Sequence, residues 1–127
     1  MIVIDTSALM AILSHEPEAG NCRSALLAER DVRISAGTLA EALIVAGRRN
    51  LGDEMRDLLK ELQLSIEAVS ASSAEGVADA YARWGKGVHP ARLNLGDCFA
   101  YEVAARHDCP LLFVGEDFAK TGIRRAI

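Results

Sequence analysis

The sequence has little of several features that define large protein classes. Its three cysteines, Cys22, Cys98 and Cys109, have no CxxC spacing, which argues against both a disulfide framework and a zinc site. No apolar run approaches the roughly 20 residues that a membrane-spanning helix needs. The first apolar segment, residues 1–4, is interrupted by Asp5 and is too short for the core of a signal peptide. We therefore expect a protein of the reducing cytoplasm, with no membrane association.

An excess of basic charge is also absent. The chain carries 14 Lys and Arg residues against 18 Asp and Glu residues, a net charge of −4. A general nucleic-acid binder is usually basic, so this balance argues against one. It is compatible with an enzyme that gathers acids around a cation. Half of the 127 residues are hydrophobic, which is enough for a packed core, and we expect residues 1–127 to form one domain.

Short apolar segments alternate with helical patterns along the chain. Strands are predicted at residues 1–4, 32–35, 64–68 and 110–114, with residues 123–127 as a weaker candidate. Helices are predicted to begin at Asp5, at Thr38 and at Ser72 or Ser73, and to cover residues 18–29, 51–62 and 96–107. The apolar stripe within 51–62 is expected to face the core, with a dimer face as the alternative. Strands that alternate with helices indicate an α/β fold, in which helices cover both faces of a parallel sheet.

Four carboxylates lie at the predicted junctions between strands and helices. Asp5 directly follows the first strand, and Asp117 follows the last apolar run. Glu41 is expected in the first turn of the helix after the second strand. Asp97 stands at a helix start, so its approach to the others depends on helix packing. Because parallel strands end at the same edge of a sheet, we expect these four side chains to converge there.

Convergence of four acids has a chemical consequence. Carboxylates at one site repel one another, which raises the pKa of some of them. A divalent cation removes that penalty, and hard oxygen ligands favour Mg²⁺ or Mn²⁺. The reaction that such a site supports best is the hydrolysis of a phosphodiester bond.

Each acid also has an ordinary structural interpretation. Asp5 can cap the first helix, and Asp97 suits a helix start. Thr38 and Glu41 have the spacing of a capping box, and Asp117 can be a turn residue. Caps do not have to be carboxylates, because Ser, Thr and Asn serve equally well. Four strong acids at one edge therefore favour a common role, and a residue can be both cap and ligand.

Three basic residues flank the polar loop that precedes Asp97, namely Arg83, Lys86 and Arg92. Basic side chains beside an acidic site are candidates for contacts with phosphates. Simple exposure to solvent explains them at least as well.

Four segments, in order, carry a resemblance to a known family: MIVIDTSAL, AGTLAEALIV, LNLGDCFAYEVA and LLFVGEDFAKT. With them, the whole chain resembles the PIN-domain ribonucleases and, among these, the VapC-type toxins of bacterial toxin–antitoxin pairs. The most specific segment is KGVHPARLNLGDCFAYEVA. The resemblance implies a PIN-like three-layer α/β/α fold, Mg²⁺- or Mn²⁺-dependent endoribonuclease activity and a homodimer. It also implies a cognate VapB-like antitoxin whose C-terminal tail fills the active-site groove.

The resemblance also implies roles for individual residues. The family's acidic quartet, which holds the metal and carries the catalysis, falls here on Asp5, Glu41, Asp97 and Asp117. Thr6 and Ser7 match hydroxyl positions that orient ligands or water. Asp117 precedes the family's aromatic residue and is assigned as the ligand, with the adjacent Glu116 as a supporting acid. The chain departs from the family at Gly122, where Asp is frequent.

Two rival functions make different demands on the sequence. A phosphatase with a nucleophilic aspartate needs a second Asp two residues after the first, and Ser7 stands there. A PIN-like scaffold that binds RNA or a partner without cutting is the non-enzymatic alternative. Such scaffolds usually lose one or more of the acids, and this chain has all four.

Overall fold

A computed structural model describes the whole chain, residues 1–127. Its elements are β1 (Ile2–Ile4), α1 (Thr6–Leu13), α2 (Ala19–Ala28), β2 (Val32–Ser35), α3 (Ala36–Arg48), α4 (Gly52–Leu62), β3 (Ser65–Glu67), α5 (Ala71–Trp84), α6 (Leu95–His107), β4 (Leu111–Leu112) and a 3₁₀ turn (Phe118–Lys120). None of the helices combines the length and apolar character that crossing a membrane requires.

The four strands form one parallel sheet in the order β3-β2-β1-β4. Val3 in the central strand β1 lies opposite Arg33 of β2 and Leu111 of β4. The predicted α/β fold with a parallel sheet is confirmed. Since all four strands run in the same direction, their carboxyl ends lie along one edge.

Helices cover both faces of this sheet. Side chains alternate along a strand, so Ile2 and Ile4 enter one core while Val3 enters the other. The first core lies under α1 to α4, and the second lies under α5 and α6. Met55 and Leu58 of the predicted stripe are buried in the first core, as expected for a core-facing helix. The three-layer α/β/α arrangement is confirmed.

The start of α3 differs from the prediction. The capping box of Thr38 with Glu41 is wrong, because the cap is Ser35, whose Oγ accepts the Gly37 N–H at 3.1 Å. The chain turns into the helix directly from the last residue of β2. Thr38 is therefore the third residue of α3 and fully buried, and Glu41 lies in the second turn rather than the first.

Two further boundaries are corrected in the same way. Helix α5 is capped by Ser70, not by Ser72 or Ser73, and Ser73 serves as the reciprocal partner within the capping box. The weak last strand is reduced to a single parallel bridge between Leu111 and Arg125. In both places hydrogen bonds set the boundary of the element, and the periodicity of apolar residues does not reveal them.

Candidate active site

Asp5 is fixed where β1 ends and α1 begins. Its Oδ2 accepts hydrogen bonds from the backbone N–H of Ser7 at 3.0 Å and from the Ser7 hydroxyl at 2.6 Å. The same hydroxyl accepts the Val114 N–H at 3.1 Å, which ties the carboxylate to the segment after β4. The other oxygen, Oδ1, is buried and has no hydrogen-bond partner. Asp5 is thus a helix cap that keeps one unpartnered oxygen.

Glu41 is held between helices α1 and α6. The Thr6 hydroxyl donates to Glu41 Oε1 at 2.6 Å. On the other side, a Cβ added at Gly96 would lie 1.8 Å from Glu41 Oε2. A side chain at position 96 would therefore displace this carboxylate from its present position.

Asp97 occupies the first turn of α6 and closes a capping box. Its Oδ2 accepts the Asn94 N–H at 2.9 Å, while its own N–H donates to Asn94 Oδ1 at 2.8 Å. Asp97 therefore caps its helix with one oxygen, as the structural interpretation of the sequence allowed. The half-buried side chain also lines the cavity that Asp5 and Glu41 line.

This cavity, here called the acid cavity, has a volume of about 310 Å³. Its walls are formed by Asp5, Thr6, Ser7, Met10, Glu16, Glu41, Val45, Arg49, Asp97 and Val114. It lies at the edge of the sheet where β1 ends. Three of the four predicted acids and both predicted hydroxyl residues thus share one cavity.

Burial and mutual repulsion raise the pKa of two acids in the cavity. The pKa of Asp5 rises to about 6, chiefly because the group is buried and secondarily because of the Glu41 charge, against the lowering effect of the Ser7 bonds. The pKa of Asp97 rises to about 7, again chiefly through burial, with the charges of Asp5, Asp117 and Glu41 adding to it. Both carboxyl groups therefore change charge near neutral pH.

The last predicted acids lie outside the cavity walls. Asp117 and Glu116 are exposed, and neither lines the acid cavity. Asp117 precedes the 3₁₀ turn without a side-chain capping bond. Its charge nevertheless contributes to the raised pKa of Asp97, so it lies within electrostatic reach of the site.

The three predicted basic residues also lie outside the cavity walls. Lys86 and Arg92 line a shallow depression in the loop before α6. Arg83 stacks on Trp84, with its guanidinium carbon 4.7 Å from the ring centroid, in a groove between α5 and α6. The structure thus separates Arg83 from the other two.

Two charged residues of the acid cavity were missed from the sequence, namely Glu16 and Arg49. Arg49 had a signal, because Glu41, Val45 and Arg49 are spaced by four residues and so share one face of α3. Glu16 had none. It follows His15, which has φ 52°, in the irregular turn after α1.

The donor atoms in the cavity suit a hard divalent cation. Carboxylate and hydroxyl oxygens are the ligands that Mg²⁺ and Mn²⁺ prefer, and the buried, unpartnered Oδ1 of Asp5 is an atom that a cation would satisfy. No group of three His, Cys, Asp or Glu side chains is arranged to hold a metal ion. Mg²⁺ does not require such a group, since it usually keeps several waters and binds through one or two carboxylates.

Comparison with known proteins agrees with this architecture. The PIN domain model matches residues 2–124. Ribonuclease VapC30 of Mycobacterium tuberculosis is 42% identical over 126 residues, which cover 96% of this chain and 95% of the relative. Ribonuclease VapC42 of the same organism is 40% identical over 129 residues, which cover 98% of each chain.

Solved structures share the fold at lower identity. The crystal structure of Mycobacterium tuberculosis VapC20, described as a sarcin–ricin loop cleaving toxin, aligns with a TM-score of 0.76 at 18% identity and covers 97% of this chain and 96% of that one. A toxin–antitoxin complex from Klebsiella pneumoniae aligns with a TM-score of 0.73 at 22% identity and covers 100% and 98%. With a parallel sheet, an acid cavity at its edge and full-length relatives, the chain belongs to the PIN-domain family, among the VapC-type ribonucleases.

Proposed function

We propose that this chain is a metal-dependent endoribonuclease toxin that hydrolyses RNA phosphodiester bonds at the acid cavity. The observation that carries the proposal is the buried, unpartnered Oδ1 of Asp5 in a cavity shared with Glu41 and Asp97. Burial of a carboxylate oxygen without a partner is costly, and a bound cation offsets that cost. Relatives about 40% identical over nearly the whole chain bear the name ribonuclease, which supports the same reaction.

Asp5, Glu41 and Asp97 would hold Mg²⁺ or Mn²⁺, and Asp117 would contribute from the rim, with Glu116 in support. When bound, the cation lowers the pKa of a water molecule and neutralises charge on the phosphate. Thr6 keeps Glu41 in place and Ser7 keeps Asp5 in place, through their hydrogen bonds of 2.6 Å.

Asp97 keeps one oxygen available to the site, because its Oδ1 is not engaged by the capping bond. We propose that Lys86 and Arg92, on the loop before α6, and Arg83, in the last turn of α5, contact RNA phosphates outside the cavity.

The proposed partners follow from membership of the family. We propose one PIN domain over residues 1–127, a homodimer in the cytoplasm, and inhibition by a cognate VapB-like antitoxin whose C-terminal tail enters the cavity. The aligned Klebsiella pneumoniae structure is a toxin–antitoxin complex, which supports an antitoxin partner.

The deciding experiment is cleavage of total bacterial RNA by purified, antitoxin-free protein, with Mg²⁺ and with EDTA. Asp97→Asn is the matched variant, because an Asn side chain can still accept the Asn94 N–H and keep the cap. Asp53→Asn is the control, since Asp53 is an exposed acid in the first turn of α4, away from the cavity.

We expect discrete, Mg²⁺-dependent fragments from the wild type and from Asp53→Asn, and none from Asp97→Asn. Equal cleavage by Asp97→Asn would refute the proposed site. A folded protein that binds Mg²⁺ and RNA but never cleaves would instead be the non-cutting scaffold.

A further inference from the structure

Arg49 is the only cationic side chain that lines the acid cavity. Helix α3 carries Glu41, Val45 and Arg49 on the face that lines the cavity, and Arg49 is its C-cap. At 1.5 Å per residue, Arg49 lies about 12 Å along the helix from Glu41. Arg49 lines the same cavity as Glu41, so it contributes to the cavity from the far end of this helix.

The end of α3 holds Arg49 in a defined position. The Leu51 N–H donates to Ala46 O at 2.8 Å, and Asn50 adopts the left-handed conformation with φ 59°. These features fix the last turn of the helix. The backbone of Arg49 is thereby anchored at the cavity wall.

The Arg49 guanidinium makes no hydrogen bond and no ion pair within the chain, although four carboxylates share its cavity. The basic residues with ion pairs, Arg33, Arg106 and Arg124, lie elsewhere. An exposed guanidinium with five free donors is a strong ligand for a phosphate. It is also the one local positive charge that offsets the repulsion between an acidic cavity and a polyanion.

We propose that Arg49 is a substrate-binding residue that holds a phosphate of the RNA strand at the mouth of the acid cavity. This inference rests on the proposed function, because it requires RNA to enter that cavity. It adds a positive charge from the end of α3, whereas the basic residues predicted from the sequence lie on α5 and on the loop before α6.

The test measures binding of a fluorescently labelled, mixed-sequence single-stranded RNA to the Asp97→Asn protein in Mg²⁺, where cleavage does not interfere. The protein is compared with versions that also carry Arg49→Ala, Arg49→Lys or Arg48→Ala. Arg48 is the matched control, because it is an exposed arginine one residue away that does not line the cavity.

We expect Arg49→Ala to raise the Kd about tenfold, which is the usual loss for a charge-assisted hydrogen bond. It should also flatten the dependence of log Kd on log salt by about 0.7, since one phosphate contact is lost. Arg49→Lys should keep the salt slope, and Arg48→Ala should change Kd less than twofold. A structural role would not change the salt slope.

Equal effects of Arg49→Ala and Arg48→Ala, or no effect of either, would overturn the inference. So would an Asp97→Asn protein that binds no RNA. Cleavage by the wild type is measured separately, so a failure at Arg49 with Mg²⁺-dependent cleavage intact leaves the proposed nuclease standing.

Discussion

The Thr6 hydroxyl is the only donor that reaches Glu41, at 2.6 Å from Oε1. We expect Thr6→Val, which keeps the shape and removes the hydroxyl, to lower kcat/KM for RNA cleavage about tenfold because Glu41 loses its orientation. Steady-state cleavage in Mg²⁺ measures the effect. Unchanged kcat/KM would show that packing alone positions Glu41.

Thr38 provides the matched comparison, for which we expect a gain in stability rather than a loss of activity. Its hydroxyl is fully buried and has no partner. Thr38→Val removes an unsatisfied polar group, so we expect it to raise the free energy of unfolding by about 1 kcal/mol. Cleavage should stay at the wild-type rate, because Thr38 does not line the acid cavity. Thermal unfolding measures the gain, and a loss of stability would reveal a hydrogen bond to the hydroxyl.

Helices α3 and α6 approach each other closely at two glycines, Gly37 and Gly96. An added Cβ would lie 2.4 Å from the Phe99 ring at the first and 1.8 Å from Glu41 Oε2 at the second. The same contact that packs the helices therefore sets the distance between Glu41 and Asp97. Helix packing, rather than strand order, completes the cavity on this side.

We expect Gly96→Ala to lower cleavage about 100-fold, because displacing a catalytic group by about 1 Å has effects of that size. Gly20→Ala in α2 is the control, since no atom lies within 4 Å of its added Cβ. That variant should cleave normally and be slightly more stable. A fully active Gly96→Ala protein would show that Glu41 moves aside without consequence.

The elements that the sequence predicts well are those defined by side-chain periodicity. The apolar strands and the alternation with helices predict the parallel sheet. Because parallel strands end at one edge, they also predict that Asp5 and Glu41 lie at one site. Helix starts are predicted less well, because Ser35 and Ser70 compete with nearby Thr38 and Ser72 for the same role, and only hydrogen bonds decide between them.

Some residues of the site can likewise be predicted from the sequence, and others cannot. Thr6 and Ser7 follow from their position next to Asp5, and Arg49 could have been found from its spacing on α3. The contact between Gly96 and Glu41 depends on how two helices that are distant in sequence pack. Glu16 lies in an irregular turn, for which a single sequence carries no periodic signal.

The folded protein has two groups of carboxylates whose pKa values shift in opposite directions. In the acid cavity, burial raises the pKa of Asp5 and Asp97. Across β2 and β3, the Arg33 guanidinium lies 3.0 Å from Asp31 and 2.7 Å from Glu67, and these contacts lower the pKa of both carboxyl groups. The first group disfavours charged carboxylates and the second favours them, so the two affect stability in opposite directions as pH changes.

These shifts predict how the stability of the metal-free protein depends on pH. Asp5 and Asp97 bind protons more tightly in the folded state than in the unfolded state, where the pKa of an Asp is about 3.9. Their contribution to stability is complete below about pH 4 and is lost as pH rises through about 6 and 7. Asp31 and Glu67 contribute above their unfolded pKa, and that part is lost only as pH falls below about 4.5.

In EDTA, we therefore expect the free energy of unfolding to fall between about pH 4 and pH 7, with Asp5 accounting for up to about 3 kcal/mol of that fall, between about pH 4 and pH 6. Asp5→Asn should flatten that slope even if it lowers stability at every pH through its altered cap. Mg²⁺ should raise the unfolding temperature much more at pH 8 than at pH 5, because at low pH the cation has to displace protons. Urea unfolding across this range measures the slope. A metal-free wild type with the same slope as Asp5→Asn would show that folding does not raise the pKa of Asp5, and would remove the cost of burial from which the cation is argued.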